Sequence, residues 1–200
     1  MLERTHNMAA YEAVARKVLK EYDPALLNGT PRAIPIEKIA HHLGLCIEYQ
    51  CLRKTGHILG EMIYDDTYVP VYIHESKRYD LIFVKGGTII LDESLLHRGR
   101  EGRLRFTCAH EIGHWLRHKN IYAGTGQAAA YGNPKKSSEE NPYIERQADI
   151  IGTALLMPAG QVKKAFYEYR GMPDVTAALA NLFLVSKQAM GIFLRDYRLI

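Results

Sequence analysis

The sequence predicts an α+β fold, and three observations predict it. Apolar residues recur at helical spacing up to residue 44, alternate at strand spacing between about residues 45 and 92, and return to helical spacing from residue 101. Two hundred residues make one ordinary domain, or one domain with a small appendage. With 47% apolar and 24% charged residues the chain can bury a core without disulfides, which sets aside disordered, collagen-like and coiled-coil readings. Lys and Arg (26) exceed Asp and Glu (22) too slightly to indicate nucleic acid. Cys46, Cys51 and Cys108 are an odd, sparse set that reads as reduced thiols, hence a cytoplasmic protein. No apolar run approaches the roughly 20 residues of a membrane span, and the first residues carry acids, so neither a membrane anchor nor an export signal is expected.

The elements follow in order. Tyr11, Val14, Ala15, Val18, Leu19 and Tyr22 recur at three- and four-residue steps and predict a first helix. Pro24, Asn28-Gly29 and Pro31 break it; a short helix then runs from Pro35 to Leu43, with Gly44 at its end. Leu45, Ile47 and Tyr49 alternate with polar neighbours as in a half-buried strand. Gly60–Tyr64 and Val69–Ile73 flank an Asp65-Asp66-Thr67 turn, and Leu81–Val84 and Thr88–Leu91 flank Lys85-Gly86-Gly87, a hairpin signal. A small, mostly antiparallel sheet is therefore expected. Helices are predicted over 101–118 and over 142–156, the second stopped by Pro158. Ala123–Asn141 between them lacks periodicity and reads as a long loop able to cover a cleft.

His110-Glu111-Ile112-Gly113-His114 is an HExxH sequence on the first of these helices. Residues four apart share a helix face, so both imidazoles can reach one ion while Glu111 stands beside it as a base for a water. The bland alternative is a charged helix face with two surface histidines. A catalytic zinc needs a third protein ligand and keeps one position open. A third histidine in the metzincin pattern is excluded, because Arg117 and Asn120 occupy the required positions. His118 continues the four-residue series but suits a charge partner at the helix end better than a ligand. Glu145, on the next helix, is the favoured third ligand, with Asp149 one turn on to accept a histidine ring N–H. Asp149 as the ligand itself is the alternative.

Three linked blocks, Arg105–His114, Glu145–Asp149 and Leu155-Leu156-Met157-Pro158, resemble the ImmA/IrrE family of metallo-endopeptidases. The resemblance extends over roughly residues 8 to 158 and includes the Pro35–Gly44 helix and the Ile89–Asp92 strand. It implies a zincin-like peptidase domain over 1–160 and one Zn2+ per chain held by His110, His114 and Glu145, with Glu111 as general base. It also implies a protein substrate, a helix-turn-helix repressor whose cleavage releases transcription, often in mobile elements or prophages. Tyr143, Tyr131 and His118 are candidates for stabilising the oxyanion, by nearness in sequence. Thr88–Leu91 is a candidate edge for pairing an extended substrate.

Residues 161–200 form a helical appendage. Leu179-Ala180, Phe183, Val185-Ser186, Ala189-Met190 and Phe193-Leu194 follow helix-turn-helix spacing, with Lys187, Gln188, Gly191 and Arg195 on the side that would meet DNA. Leu184 in the turn and so few basic residues favour a hairpin packed on the peptidase unit or holding its substrate. Nucleic acid is the less favoured partner. The competing function is a DNA-associated regulator whose metal site is structural or inactive.

Overall fold

The computed structural model describes residues 2–53, 58–124 and 142–200. Helix α1 (Leu2–Tyr22) buries Tyr11, Ala15, Val18 and Leu19 on the stripe set by its apolar spacing. A single turn, α2 (Ala25–Asn28), leads to α3 (Ile36–His42), whose Pro35 sits at the N-cap and whose chain reverses at Gly44 with φ +77°. Five strands follow: β1 (Cys46–Gln50), β2 (Gly60–Ile63), β3 (Thr67–Ile73), β4 (Arg78–Val84) and β5 (Thr88–Asp92). After a 3-10 turn at Glu93–Leu96 the chain is helical: α4 (Glu101–Tyr122), α5 (Pro142–Leu156), α6 (Ala159–Tyr169), α7 (Val175–Phe183) and α8 (Lys187–Asp196). The fold is thus mixed α+β, with small sheets and several helices.

Strand pairing departs from the hairpins that the turn residues suggest. One sheet has the order β1-β5-β2, with β1 parallel and β2 antiparallel to β5; the other is the β3–β4 hairpin. Neither Asp65-Asp66 nor Gly86-Gly87 closes a hairpin; both segments pass between the sheets. The glycines serve close approach instead. Gly86 N–H donates to Asp66 Oδ1 at 2.9 Å, and a Cβ there would lie 2.6 Å from the Tyr64 carbonyl oxygen. Gly87 gives its N–H to Ile63 and accepts from Cys46 N–H, at 2.8 and 2.9 Å, and so links β2 to β1. The inner face of β3–β4 closes a small apolar cluster of Leu52, Ile63, Val69, Val71, Val84 and Ile90, while Tyr68, Leu81 and Phe83 stand exposed outside.

The larger core joins α1, α3, α4, α5 and α6 to the C-terminal pair through Phe183, Met190, Phe193 and Leu194. Helices α7 and α8 turn by 110° about Leu184, which adopts φ +52°. Arg105 of α4 secures that turn, donating from Nε to the Leu184 carbonyl at 3.0 Å and from Nη2 to the Ile34 carbonyl at 2.6 Å. Gly102 of α4 lets the turn lie close: a Cβ there would fall 3.0 Å from Ser186 N. Of the residues assigned to a DNA-facing side, Lys187, Gln188 and Arg195 are exposed; Gly191 is buried, lying against Thr176 of α7 and the Arg195 side chain. Among the described residues no single helix is long and apolar enough to cross a membrane. The loop over Ala123–Asn141, with Tyr131, lies outside the described residues beyond Gly124.

Candidate metal centre

Two glycines place the site. A Cβ on Gly113 of α4 would fall 2.6 Å from the Ala148 carbonyl oxygen, and one on Gly152 of α5 would fall 3.0 Å from the Ala109 carbonyl and from His110 N. The obstacles are backbone, which cannot swing aside, so only glycine permits these helices to touch along this line. Because 113 meets 148 and 109 meets 152, the helices run antiparallel. Each step of four along α4 is matched by a step of four back along α5: His110 faces Asp149 and His114 faces Glu145.

The polar atoms then converge. His110 Nε2 and His114 Nε2 are 2.9 Å apart, and Glu145 spans them, Oε2 3.2 Å from the first and Oε1 3.2 Å from the second. The outer ring nitrogens decide which tautomers these are. His110 donates its Nδ1–H to Asp149 Oδ1 at 2.8 Å, so its Nε2 presents a lone pair. His118 donates from Nε2 to Gln147 Oε1 at 3.1 Å, which leaves its Nδ1 to accept from His114 Nδ1–H, also at 3.1 Å. The Nε2 of His114 therefore presents a lone pair as well. Two lone pairs and a carboxylate crowded together require a positive charge among them. A proton serves in the absence of a cation. Although burial opposes it, the bonds to Asp149 and Glu145 push His110 up to about 10. Burial likewise opposes ionisation of Glu145, but its contacts with His110 and His114 hold it well below the carboxylate range. Two imidazole nitrogens and one carboxylate are also a donor set that suits a zinc-like divalent cation, so the residues present fit a metal.

Glu111 lies beside this cluster, buried at 6% exposure. Gly60, the first residue of β2, passes over it: a Cβ there would lie 2.8 Å from Glu111 Oε1 and 2.6 Å from Thr107 Cγ2. Tyr64, just after β2, packs on Trp115 and Tyr122. Burial, with the charge of Glu111 next, raises its phenol far above the tyrosine range, so it keeps its proton and can donate. Spacing gave no hint of Gly60 or Tyr64, which tertiary packing alone brings to the site. A glutamine two residues from a ligand candidate on an amphipathic helix is the one cue for Gln147.

Geometry also sorts the remaining candidates. His118 is neither an exposed charge partner nor an oxyanion donor: it is buried at 1% exposure and both its ring nitrogens are engaged. Asp149 meets the ring nitrogen of His110 that faces away from the cluster, so it orients that ring rather than completing the donor set. The Tyr143 hydroxyl lies 3.3 Å from that of Tyr11, against α1. β5 offers no edge for a substrate because it is the middle strand; the strand beside Glu111 is β2, which among the described residues is an edge strand.

No curated protein matches the chain. The family model of the IrrE N-terminal-like domain, Peptidase_M78, matches residues 74–195, from the β3–β4 turn through both helices of the site and into α8. With more than half of its length so matched, the chain belongs to the ImmA/IrrE family of metallopeptidases.

Proposed function

We propose that the chain is a zinc-dependent endopeptidase acting on a protein substrate, a helix-turn-helix transcriptional repressor whose cleavage releases its genes. Residues 1–160 are then a zincin-like peptidase unit, and 161–200 a helical segment resting on it, in a cytoplasmic protein. The observation that carries the reading is the convergence of His110, His114 and Glu145 with Glu111 buried beside them. The repressor as substrate rests on the family resemblance.

Zinc held by these three residues would supply a Lewis acid that polarises the scissile carbonyl and makes water acidic. Glu111 takes the proton of the attacking water and returns it to the leaving amine. Tyr64, neutral and close enough to feel both Glu111 and Glu145, donates to the oxyanion that develops. β2, an edge strand among the described residues, pairs with the extended substrate and lays its backbone across Gly60, whose lack of a side chain lets it approach Glu111. Asp149 and the His118–Gln147 pair keep the two histidines in the tautomers that face the ion.

Glu111→Gln tests this directly. Zinc content should stay near one at the helix pair while cleavage of a cognate repressor is abolished. Retained cleavage would refute the role of Glu111. The DNA-associated alternative has the α7–α8 turn in its favour, but Lys187 pairs with Asp174 and Gly191 is buried, which leaves few groups for phosphates. Tight, steeply salt-dependent duplex binding, unchanged by Glu111→Gln, would favour that alternative.

A further inference from the structure

Apart from the helix pair, three side chains of metal-binding type meet where strands end. Cys51 follows β1, His74 follows β3 and Glu93 follows β5; one ligand atom of each lies within 4.8 Å of the other two. His74 Nε2 stands 3.1 Å from Glu93 Oε1. The Cys51 thiol makes a long contact, 3.9 Å, to the Arg53 carbonyl, which leaves the sulfur available.

The backbone beneath them is clamped. Asp92, 2% exposed, accepts from Leu52 N–H through Oδ2 and from Ser94 N–H through Oδ1, each at 3.0 Å. One buried carboxylate thereby ties the Cys51–Leu52 segment to Glu93–Ser94. Tyr72 N–H donates to the Cys51 carbonyl at 2.8 Å, which ties in the end of β3, and the His74 ring rests edge-on against the Tyr72 ring at 5.2 Å. These bonds fix the separation of the three ligand-bearing backbones without consuming the thiol or the imidazole.

We propose that Cys51, His74 and Glu93 form a second metal site, for a borderline divalent cation such as Zn2+. A thiolate and an imidazole exclude Mg2+ and Ca2+ as the natural occupants, since those ions take oxygen ligands. Three protein ligands leave one position for solvent. A cysteine thiol becomes a metal ligand as the thiolate, so the arriving cation displaces a proton from sulfur. The proposal uses none of the residues of the helix pair and holds whether or not the chain is a peptidase.

Cobalt reads the two sites apart, because the helix pair contains no sulfur. Titrating the metal-free full chain with Co2+ should produce a thiolate-to-cobalt charge-transfer band in the near ultraviolet. Cys51→Ser should abolish that band and leave the visible bands of cobalt at the helix pair; His74→Ala should reduce it at equal cobalt. Cys46→Ser controls for the exposed thiol and should leave the band intact, while Cys108 is buried, its thiol pushed up to about 12. Zn2+ added in equal amount should displace the cobalt and bleach the band. Absence of the band at stoichiometric Co2+, its survival in Cys51→Ser, or its loss in Cys46→Ser would overturn the site.

Discussion

The helix-pair cluster and the strand-end cluster each gather three ligand atoms, yet they differ in what stands behind those atoms. Behind His110 is Asp149, and behind His114 is His118 with Gln147 beyond it; the three side chains are 13–31% exposed. Behind His74, among the described residues, is the edge of the Tyr72 ring, and His74 and Glu93 are 64% and 47% exposed. Ligand proximity follows from chain path and can arise at any junction of strands. Ligand orientation needs a further layer of hydrogen bonds, without which each side chain loses rotamer freedom on binding. On the proposals above, the helix pair therefore holds its ion more tightly, and the strand-end site exchanges with the surrounding metal pool.

The largest effect should come from separating the two helices. Gly152→Val places three carbons where a single Cβ already lies 3.0 Å from the Ala109 carbonyl and His110 N. Overpacking of this kind costs about 1–3 kcal/mol, and more where the obstacle is backbone. Thermal unfolding should shift down, and the helix pair should lose its metal because Glu145 is carried away from the imidazoles. The thiolate–cobalt band should persist in the same variant. Metal binding of normal strength at the helix pair would show that the close glycine contact is not what aligns the ligands.

What was legible in the sequence divides along the same line. The helices could be read because periodicity is local: the stripe of α1 and the HExxH face of α4 are set by spacings of three and four. The antiparallel register of α4 and α5 also leaves a trace, since Gly113 stands three residues from His110 and Gly152 three residues from Asp149, the partner of His110 across the helices. Strand partners could not be read. Gly86-Gly87 has the composition of a hairpin turn, yet Asp66, Tyr64 and Ile63 claim it from across the molecule. The same composition serves tight turns and close backbone approach, and only distant contacts decide between them. The strand-end cluster was invisible for a related reason, because 51, 74 and 93 share no spacing that any motif requires.

A smaller effect should follow from removing the last link behind His114. Gln147 is 4% exposed, and its Oε1 accepts from His118 Nε2. Gln147→Leu keeps similar bulk but leaves that N–H without an acceptor in a buried place. His118 then gains by moving its proton to Nδ1, which forces the His114 proton onto the nitrogen that faces the ion. Loss of such a supporting hydrogen bond typically lowers metal affinity about 10–100-fold. Competition with a chromophoric chelator should register that loss at the helix pair and no change at the strand-end cluster. Gln147→Glu retains an acceptor and should restore most of the affinity. Equal affinity in Gln147→Leu would mean that His114 selects its tautomer without help.

The most gradual effect concerns protons in the metal-free chain. His110 is raised from its ordinary 6.5 to about 10, so its contribution to stability is complete below about 6.5 and is lost as pH climbs through about 10. Glu145 is lowered from its ordinary 4.5, so its contribution is complete above about 4.5 and is lost only as pH falls through its lower folded value. After chelation, this cluster therefore favours the fold most between about pH 4.5 and 6.5. Above that window one proton is released on unfolding, a slope of at most about 1.4 kcal/mol per pH unit. Urea midpoints measured from pH 6 to 10 should decline in the chelated protein and stay flatter with saturating Zn2+, because the cation takes the proton's place between the imidazoles and Glu145. Identical slopes with and without metal would mean that proton and cation do not compete for one position.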